Sequence, residues 1–296
     1  LKRTNERITA LRKTFADHKP DVIISFLTKT NIMTLEAAKS LKAPVIISER
    51  NNPNAQQFNR MWRTARAHTY PRAFAFVTMT RGAAEYYPER QRPRTTIIPN
   101  PINLPEDWRN QRGGKILTAV GRLTEQKRFD VLIDAFAEIA DDFSDWTLTI
   151  WGEGEDRAKL EAQRDALGLS ERIKMPGLTP KPGAWIETAD VFALSSDYEG
   201  WANVILEAMA AGLPIVSTDC PYSPGDLLDH GRSGMLVSTG DAHAFAGALS
   251  EVLADQSLRD HLGDNAREAS RQYRTEKIVA QWDALVNAAY AEQRKR

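Results

Sequence analysis

The sequence predicts an α/β protein built from two doubly wound domains, each with a parallel sheet covered by helices. From Asp21 onward, short β-branched runs alternate with amphipathic stretches, which is the pattern of parallel strands joined by helices. Three prolines within residues 99–105 interrupt this alternation. The final helical patterns have no strand between them, so they should cover the outside of a sheet. The sequence therefore indicates two sheets separated by a linker.

The first predicted domain spans residues 1–105. Its strands are predicted at residues 22–26, 45–48, 75–79 and 96–99, and its helices at 4–17, 32–41, 55–70 and 82–87. A doubly wound sheet usually has about five or six strands, whereas this half supplies four and begins on a helix. We therefore expect the amino-terminal part of this domain to be missing from the sequence, and we expect the activity of the isolated chain to depend on it.

The second predicted domain spans residues 106–275, and a last segment, 276–296, carries one more helix. Strands are predicted at residues 116–120, 147–151, 173–175, 191–194, 215–217 and 235–237, and helices at 125–140, 202–211, 242–254, 257–273 and 276–293. Pro99, Pro101 and Pro105 lack backbone N–H donors and disfavour helix in the residues before them. We therefore place the linker between the domains at these prolines.

The composition is that of an ordinary globular protein, with hydrophobic residues at 42% and charged residues at 26%. No apolar run approaches the roughly 18 to 20 residues that a membrane-spanning helix needs. Cys220 is the single cysteine, so no internal disulfide can form, which favours a reducing compartment. We therefore expect a cytoplasmic protein. Its five histidines are scattered without the spacing of metal ligands, so we expect no metal site.

The net charge of zero conceals a basic half and an acidic half. Residues 1–105 carry 18 Lys and Arg against seven Asp and Glu, a net charge of +11, and the remaining residues carry a net charge of −11. Basic charge of this size attracts anionic surfaces such as phospholipid head groups or lipid pyrophosphates. We expect peripheral contact with the inner face of a membrane and no nucleic-acid partner. An ordinary solvated surface is the alternative interpretation.

Two cations follow the first strand of the second domain. Gly121 and Arg122 come directly after the strand at 116–120, and Lys127 lies five residues after Arg122, near the start of the helix at 125–140. Residues at the carboxyl end of a parallel strand face the binding crevice of such a sheet. Because Arg offers a bidentate fork and Lys a compact charge, a pyrophosphate is the natural partner of this pair. The alternative is that both are surface residues.

Two glutamates, Glu199 and Glu207, lie on either side of a helix start after the strand at 191–194. Free N–H groups at the beginning of the helix 202–211, next to Gly200, are expected to bind an anion at the positive end of the helix dipole. Asn203 and Glu207 are four residues apart, so they share a helix face, where Glu207 is suited to accept hydrogen bonds from ribose hydroxyls. Glu199 lies in the loop, closer to a transferred group.

These segments, together with residues 207–216, resemble the donor domain of family 4 glycosyltransferases, which have the GT-B architecture of two Rossmann-like domains. The resemblance covers nearly all of the second predicted domain and the first one more loosely. It implies that Arg122 and Lys127 bind the donor pyrophosphate, that Glu207 binds the ribose and that Glu199 contacts the donor sugar near the reacting carbon.

The resemblance also implies that the base of the donor lies near Gly177 and Leu178, after the strand at 173–175. Members of the family retain the anomeric configuration and use no metal or other cofactor, and their last helix commonly crosses back to the first domain. The predicted donor-binding residues are Gly121, Arg122, Lys127, Gly177, Leu178, Glu199, Gly200, Trp201, Ala202, Asn203 and Glu207. Those predicted to act in catalysis are Glu199, Arg122 and Lys127.

In the first domain, Glu49 and Arg50 follow the strand at 45–48 and are predicted to face the cleft, where they would touch the acceptor. Similar family members carry a Ser-Glu-Arg-Asn segment at this place. The alternative interpretation is structural, because Asn52 is a good helix N-cap and Pro53 a good first helical residue.

The sequence thus predicts a retaining glycosyltransferase of the hexosyltransferase type. It would move a sugar from a nucleotide diphosphate to a glycan or lipid-linked acceptor in polysaccharide biosynthesis. We expect the donor to be a UDP-sugar rather than a GDP-sugar. Three alternatives stay open: a non-catalytic module that binds nucleotide sugars, a nucleotide-sugar epimerase of the same architecture, and a phosphorylase, for which the sequence offers no phosphate or pyridoxal site.

Overall fold

The computed structural model describes residues 2–102, 104, 113–181 and 183–295, and it divides the chain into two compact units. Unit 1 extends to Asn100 and resumes at Thr275, whereas unit 2 is Pro101–Arg274. Both units contain a parallel sheet covered by helices, which confirms the predicted fold class. The domain boundary predicted between residues 105 and 106 lies outside the described residues and stays a prediction.

Every predicted strand has a counterpart whose ends lie within about two residues of the prediction, because buried parallel strands read as short apolar runs. The strands are β1 (Ile23–Phe26), β2 (Val45–Ser48), β3 (Ala75–Thr78), β4 (Thr95–Ile97), β5 (Ile116–Val120), β6 (Thr147–Trp151), β7 (Ile173–Gly177), β8 (Val191–Leu194), β9 (Ile215–Thr218) and β10 (Met235–Val237). The α-helices are α1 (Lys2–His18), α2 (Thr28–Ala37), α3 (Arg60–Thr69), α4 (Arg81–Glu85), α5 (Phe129–Ile139), α6 (Arg157–Ala166), α7 (Asn203–Ala211), α8 (Pro224–Leu227), α9 (Ala242–Ala254), α10 (Gln256–Ser270) and α11 (Thr275–Gln293).

The sheet of unit 1 has the strand order β1-β2-β3-β4, and all its neighbours are parallel. Successive side chains of a strand point to opposite faces, so Ile46 and Ile47 enter different cores. Ile47 packs with Tyr70 and Phe76 on one face. Ile46 packs on the other face with Ile278 and Ala289 of α11. The sheet is therefore covered on both faces within unit 1.

The sheet of unit 2 has the strand order β10-β9-β8-β5-β6-β7, again with parallel neighbours. From β5 the chain proceeds outward through β6 and β7, and then restarts at β8 on the other side of β5. Such a reversal opens a crevice at the carboxyl ends of the two central strands, where ligands of doubly wound sheets bind. The segments after β5 and β8, which carry the residues singled out from the sequence, meet at this crevice.

Three helix starts differ from the prediction because local turns decide them. The predicted helix at 125–140 begins as a 3₁₀ turn, Glu125–Lys127, and α5 starts only after Arg128, whose φ of 47° interrupts the helix. The predicted helix at 55–70 begins at Arg60, because Asn59 supplies the N-cap by accepting a hydrogen bond from the Trp62 amide at 3.1 Å. The predicted helix at 32–41 begins four residues earlier, at Thr28.

Glycines connect the carboxyl ends of β5, β6 and β7. The amide of Gly121 donates to the carbonyl of Trp151 at 3.0 Å, and the amide of Gly152 donates to the carbonyl of Gly177 at 2.8 Å. Gly152 has a φ of +148°, and a Cβ atom there would lie 1.8 Å from the Gly121 carbonyl oxygen. Only glycine permits this approach of two backbones, so the rim of the crevice depends on it.

Substitution Gly152→Ala should lower the free energy of unfolding by at least about 2 kcal/mol, because the added methyl group collides with backbone that cannot move aside. Gly168→Ala is the matched control, since Gly168 has a φ of +70° but nothing within 4 Å of the added Cβ, and it should cost about 1 kcal/mol. Urea denaturation of both variants measures the difference. Equal losses of unfolding free energy in the two variants would show that the close approach to Gly121 does not restrict position 152 to glycine.

Candidate functional site

An ion pair joins the two central strand ends of unit 2. Lys127, in the turn after β5, places its Nζ 2.6 Å from Oε1 of Glu199, in the loop after β8. The side chains are 14% and 8% exposed. The hydroxyl of Ser196 also donates to Oε1 of Glu199, at 2.8 Å. The structure therefore brings together two residues that the sequence predicted separately at the same edge of the sheet.

Hydrogen bonds to backbone groups hold the loop after β8 against the turn after β5. The hydroxyl of Ser195 donates to the carbonyl of Lys127 at 2.7 Å, and the side-chain amide of Gln126 donates to the carbonyl of Tyr198, also at 2.7 Å. From the other side, the hydroxyl of Thr218 at the end of β9 donates to the carbonyl of Ser196 at 2.6 Å. The loop is thus anchored on both flanks.

Arg122 and Gly121 differ in what they contribute to this edge. Arg122 is exposed, and its guanidinium has no hydrogen-bond or ion-pair partner within the described ranges. A Cβ atom at Gly121 would lie 3.0 Å from Cε of Lys127, so the missing side chain leaves room for the lysine stem. Arg122 thus carries a positive charge without a protein counter-ion, five residues before the paired Lys127, and two cations at one strand end are suited to bind a polyanion.

The start of α7 is less open than the sequence predicted. The amide of Ala202 donates to the Ser223 hydroxyl at 2.8 Å, and the amide of Asn203 donates to the Trp201 carbonyl at 3.0 Å. The expectation of free N–H groups is therefore wrong for these two residues, because Ser223 of the loop after β9 accepts from the first amide and the preceding turn of the backbone accepts from the second. Asn203 is exposed, Gly200 is half-buried and Ala202 is buried.

Trp201 is buried and packs edge-on against Tyr273, with ring centroids 5.8 Å apart. Its indole N–H has no acceptor among the residues that the structure describes. An unpaired buried donor is costly, and it lies next to the predicted site. The Trp201 N–H is thus an unused hydrogen-bond donor. A ligand could accept from it only by reaching the buried side of the indole ring.

Glu207 is fixed by a residue that the sequence did not single out. The indole N–H of Trp185, in the 3₁₀ turn before β8, donates to Oε2 of Glu207 at 3.1 Å. Burial raises the pKa of Glu207, and this hydrogen bond opposes the rise. A buried Trp usually finds an acceptor for its N–H, and a tryptophan just before an apolar strand was the only signal for this bond in the sequence. The acceptor, Glu207, lies 22 residues away and could not be identified from the sequence.

Gly177 and Leu178 lie at the end of β7, two strands from β5 in the sheet order. Gly177 has a φ of +92°, and the Leu178 side chain is 72% exposed. An apolar side chain that faces solvent at the carboxyl edge offers a surface for a flat ring. These two residues are not part of the cluster around Lys127 and Glu199.

In unit 1, Glu49 is 2% exposed and is fully engaged by its own unit. It accepts hydrogen bonds from Thr28 at 2.8 Å, from Asn31 at 3.4 Å and from the Tyr70 hydroxyl. Burial raises the pKa of the Glu49 carboxyl. The first two partners belong to α2, so this acid sits at the positive end of that helix. Its predicted contact with an acceptor stays a prediction.

Arg50 also has partners inside unit 1. Its Nη1 donates to the carbonyl of Ile98 at 3.0 Å and to Oδ1 of Asn100 at 3.1 Å. The guanidinium lies 5.6 Å from the Phe26 ring and 5.4 Å from the Trp282 ring. Burial lowers the pKa of Arg50 to about 10. The Arg50 contact with an acceptor likewise stays a prediction.

Asn52, which the sequence offered as a helix N-cap, caps a turn instead. Its side-chain oxygen accepts a hydrogen bond from the Asn54 amide at 2.9 Å.

Cys220, after β9, is close enough to the ion pair to sense its charges. Burial raises the pKa of the thiol to about 12, and the negative charge of Glu199 adds to the rise. The thiol is therefore protonated and unreactive at neutral pH. Among the described residues, no group of three or more His, Cys, Asp or Glu side chains is arranged to hold a metal ion.

Family comparisons match both halves of the chain. The model described as glycosyl transferases group 1 matches residues 102–269, and the model described as a glycosyl transferase 4-like domain matches residues 2–102. The first of these covers more than half of the chain, and it contains every residue of the crevice described above.

Two known proteins show different extents of similarity. An exopolysaccharide phosphotransferase of Streptomyces coelicolor is 32% identical over 73% of this chain, which spans 23% of that protein. A Campylobacter jejuni α-1,4-N-acetyl-D-galactosaminyltransferase is 29% identical over 95% of this chain, which spans 78% of it. The name of the second includes the acceptor, GalNAc-α-(1→4)-GalNAc-α-(1→3)-diNAcBac-PP-undecaprenol.

Among solved structures, the Anabaena HepE protein in complex with UDP superimposes with a TM-score of 0.86 at 19% identity, covering 95% of this chain and 82% of HepE. HepE in complex with UDP-glucose gives a TM-score of 0.81 at 20% identity, with the same coverage. At such identities the likeness shows the fold alone.

Substitution Glu207→Gln should stabilise the protein at neutral pH, because it replaces a buried carboxylate by a neutral group that can still accept from Trp185. The folded-state pKa of Glu207 is raised, so its contribution to stability is present below the unfolded pKa and is lost as pH rises through the folded pKa. Denaturation of both proteins across the acid range measures this. The stability gain of the variant should grow with pH, and a gain that is constant with pH would contradict the raised pKa.

Proposed function

The chain belongs to the family of group 1 glycosyl transferases, and we propose that it transfers a sugar from a nucleoside diphosphate to a glycan or lipid-linked acceptor with retention of anomeric configuration. The donor is a UDP-sugar in this proposal. Support for UDP comes from HepE, a protein of the same fold that has been crystallised with UDP and with UDP-glucose.

The observation that carries the proposal is the pairing of Lys127 with Glu199 at the switch point of the sheet, where the unpaired Arg122 follows the same strand, β5, as Lys127. A diphosphate has two negative charges and needs more than one cation. A transferred sugar needs an acceptor of hydroxyl hydrogen bonds nearby, which a carboxylate provides. One crevice edge of unit 2 supplies both groups.

In this proposal, Lys127 keeps its bond to Glu199 and uses its two further N–H donors for the diphosphate. Arg122 binds the same diphosphate from the open side. As the bond between the anomeric carbon and the phosphate oxygen breaks, its electron pair goes to the diphosphate, and these fixed charges stabilise the transition state. The acceptor hydroxyl bonds to the anomeric carbon from the same face, which retains its configuration, and its proton passes to the departing diphosphate oxygen.

The remaining donor contacts follow from the same placement. Glu207 has one oxygen bound by Trp185, and its other oxygen accepts hydrogen bonds from the ribose. Gly177 and Leu178 lie at the next part of the rim and form the surface for the base. Glu199 contacts the donor sugar. The segment from Gly200 to Asn203 lies beside the diphosphate, whose charge is met by Lys127 and Arg122 rather than by the amides of Ala202 and Asn203, which already have acceptors.

For the acceptor, we propose a glycan carried on a lipid diphosphate, reached at an anionic membrane surface. Support comes from the basic charge of residues 1–105 and from the lipid-linked acceptor in the name of the Campylobacter protein. Helix α3 presents the exposed side chains of Arg60, Met61 and Arg63. In the described part of the chain, no helix is long and apolar enough to cross a bilayer.

Substitution Lys127→Ala in the full-length protein should lower the turnover of sugar transfer by a factor of roughly 10² or more, because the leaving diphosphate loses its fixed counter-charge. Release of UDP together with a lengthened acceptor glycan is the measurement, since it separates transfer from epimerisation and from simple binding. Unchanged turnover would remove the proposed role.

Two controls make this result interpretable. Lys174→Ala removes an exposed lysine of β7 that pairs with Glu171, and it should leave turnover as in the wild type. Lys127→Ala also leaves the buried Glu199 without its counter-ion, which is destabilising, so thermal denaturation must show that the variant is folded at the assay temperature. Lys127→Ala with Glu199→Gln removes both charges and should stay inactive while regaining stability.

The membrane proposal predicts that the double substitution Arg60→Glu with Arg63→Glu lowers binding to anionic liposomes at least about tenfold, because each basic residue near such a surface contributes roughly 1 kcal/mol. Sedimentation with liposomes of phosphatidylcholine, with and without phosphatidylglycerol, measures it. Arg232→Glu in unit 2, whose side chain is 72% exposed, is the control. Equal sedimentation with both lipid compositions would discard the membrane surface as a partner.

A further inference from the structure

Arg128 has a backbone conformation that favours glycine. Its φ is 47° and its ψ is 42°, between the 3₁₀ turn Glu125–Lys127 and the start of α5. For a residue with a side chain this left-handed region is unfavourable. A glycine would adopt the same turn without that cost, so a function of the arginine side chain is the natural reason for its presence here.

The guanidinium of Arg128 joins two carboxylates that come from different parts of unit 2. Its Nε lies 3.1 Å from Oδ1 of Asp130, in the first turn of α5. Its Nη1 lies 3.2 Å from both carboxylate oxygens of Asp197. Asp197 is two residues before Glu199, in the loop after β8, and 69 residues from Arg128 in sequence. Arg128 therefore links the start of α5 to the loop that carries Glu199.

This link lies at the outer end of a continuous series of contacts. The amide of Asp197 donates to the carbonyl of Gln126 at 3.0 Å, Gln126 donates to Tyr198, and Lys127 pairs with Glu199. Consecutive residues of the turn thus bind consecutive residues of the loop. The side chains of Arg128 and Asp197 are 27% and 36% exposed, so this is the solvent-facing end of the series, and the Lys127 pair is its buried end.

We propose that Arg128 is a positioning residue: through Asp197 it holds the loop 195–199 so that Glu199 meets Lys127 and the transferred sugar in one geometry. The inference rests on the proposed transfer reaction. A surface ion pair by itself contributes little to stability, and Arg128 occupies an unfavourable backbone conformation. Its benefit is therefore expected in the placement of the loop rather than in the stability of the fold.

The test is the substitution Arg128→Gly in the full-length protein. It removes the guanidinium and relieves the backbone, so the melting temperature should equal or exceed that of the wild type. Turnover should fall about tenfold or more, because small displacements of a reacting group are costly. The Kd for UDP, which depends on Arg122, Lys127 and Glu207, should change less than about twofold.

A second readout does not depend on enzymatic activity. The Asp197 amide donates to the Gln126 carbonyl at 3.0 Å, and its hydrogen exchange should become faster in Arg128→Gly, since the loop loses one of its anchors. Arg128→Lys should restore part of the turnover, because its ammonium can still reach Asp197 as a point charge. The effects of Arg128→Gly and Asp197→Asn on turnover should not add, as expected for two residues that act through one contact.

Lys115→Gly is the matched control. Lys115 is also a cation in the left-handed region, with a φ of 54°, and it pairs with Asp145. It lies at the amino end of β5, the opposite end from Lys127. The control relieves the same kind of backbone strain and removes an ion pair, and it should change neither turnover nor exchange in the loop.

The outcomes separate this inference from the proposed function. Wild-type turnover and loop exchange retained in Arg128→Gly would overturn the positioning role, even if the wild type transfers sugar from UDP. A wild type that neither binds UDP nor transfers sugar would overturn the proposed function, and faster loop exchange in the variant would still establish the link between Arg128 and the loop. A melting temperature that falls together with turnover would assign Arg128 to the fold and also overturn the inference.

Discussion

The ion pair between Lys127 and Glu199 is the interaction on which the rest of the candidate site depends. Its side chains are 14% and 8% exposed, and removing two charges from water costs several kcal/mol for each ion. The pair is maintained because the surrounding loops satisfy it, with Ser196 donating to the carboxylate and the lysine stem packing over Gly121. A site whose charges are already desolvated and fixed needs little rearrangement when an anionic ligand enters, which is the condition for electrostatic catalysis.

The sheet of unit 2 supplies the rigid support for this pair. Parallel strands end at one edge, and the reversal of direction between β5 and β8 places a crevice at their carboxyl ends. Gly152 lets its backbone approach Gly121 closely, which keeps the rim of β5, β6 and β7 continuous through hydrogen bonds. Hydrogen bonds fix the loop after β8 to the turn after β5 and to the end of β9, and the proposed role of Arg128 is to hold this loop at its solvent-facing end.

Unit 1 uses its charged residues differently. Glu49 and Arg50 follow a strand end, as Arg122 does, but both are engaged by hydrogen bonds within their own unit. Glu49 lies at the start of α2, where a carboxylate is favourable, and Arg50 lies between two aromatic rings. The residues after a strand end thus differ between the units: in unit 1 they are held by partners of their own unit, whereas Arg122 in unit 2 is exposed.

The fold class and all the strands of the described residues were predictable from the sequence, because burial on both faces of a parallel sheet imposes apolar runs that depend only on neighbouring residues. The edge of the sheet that carries Arg122, Lys127 and Glu199 was predictable for the same reason. Helix starts such as Phe129 and Arg60 were less predictable, since they depend on the conformation of single turn residues.

Only the tertiary structure decided which groups meet: Lys127 with Glu199, Trp185 with Glu207, Arg128 with Asp197 and Ala202 with Ser223. Each of these pairs is separated by 21 or more residues in the chain, and the distance between such groups is set by how the strands are ordered in the sheet, which no local pattern encodes.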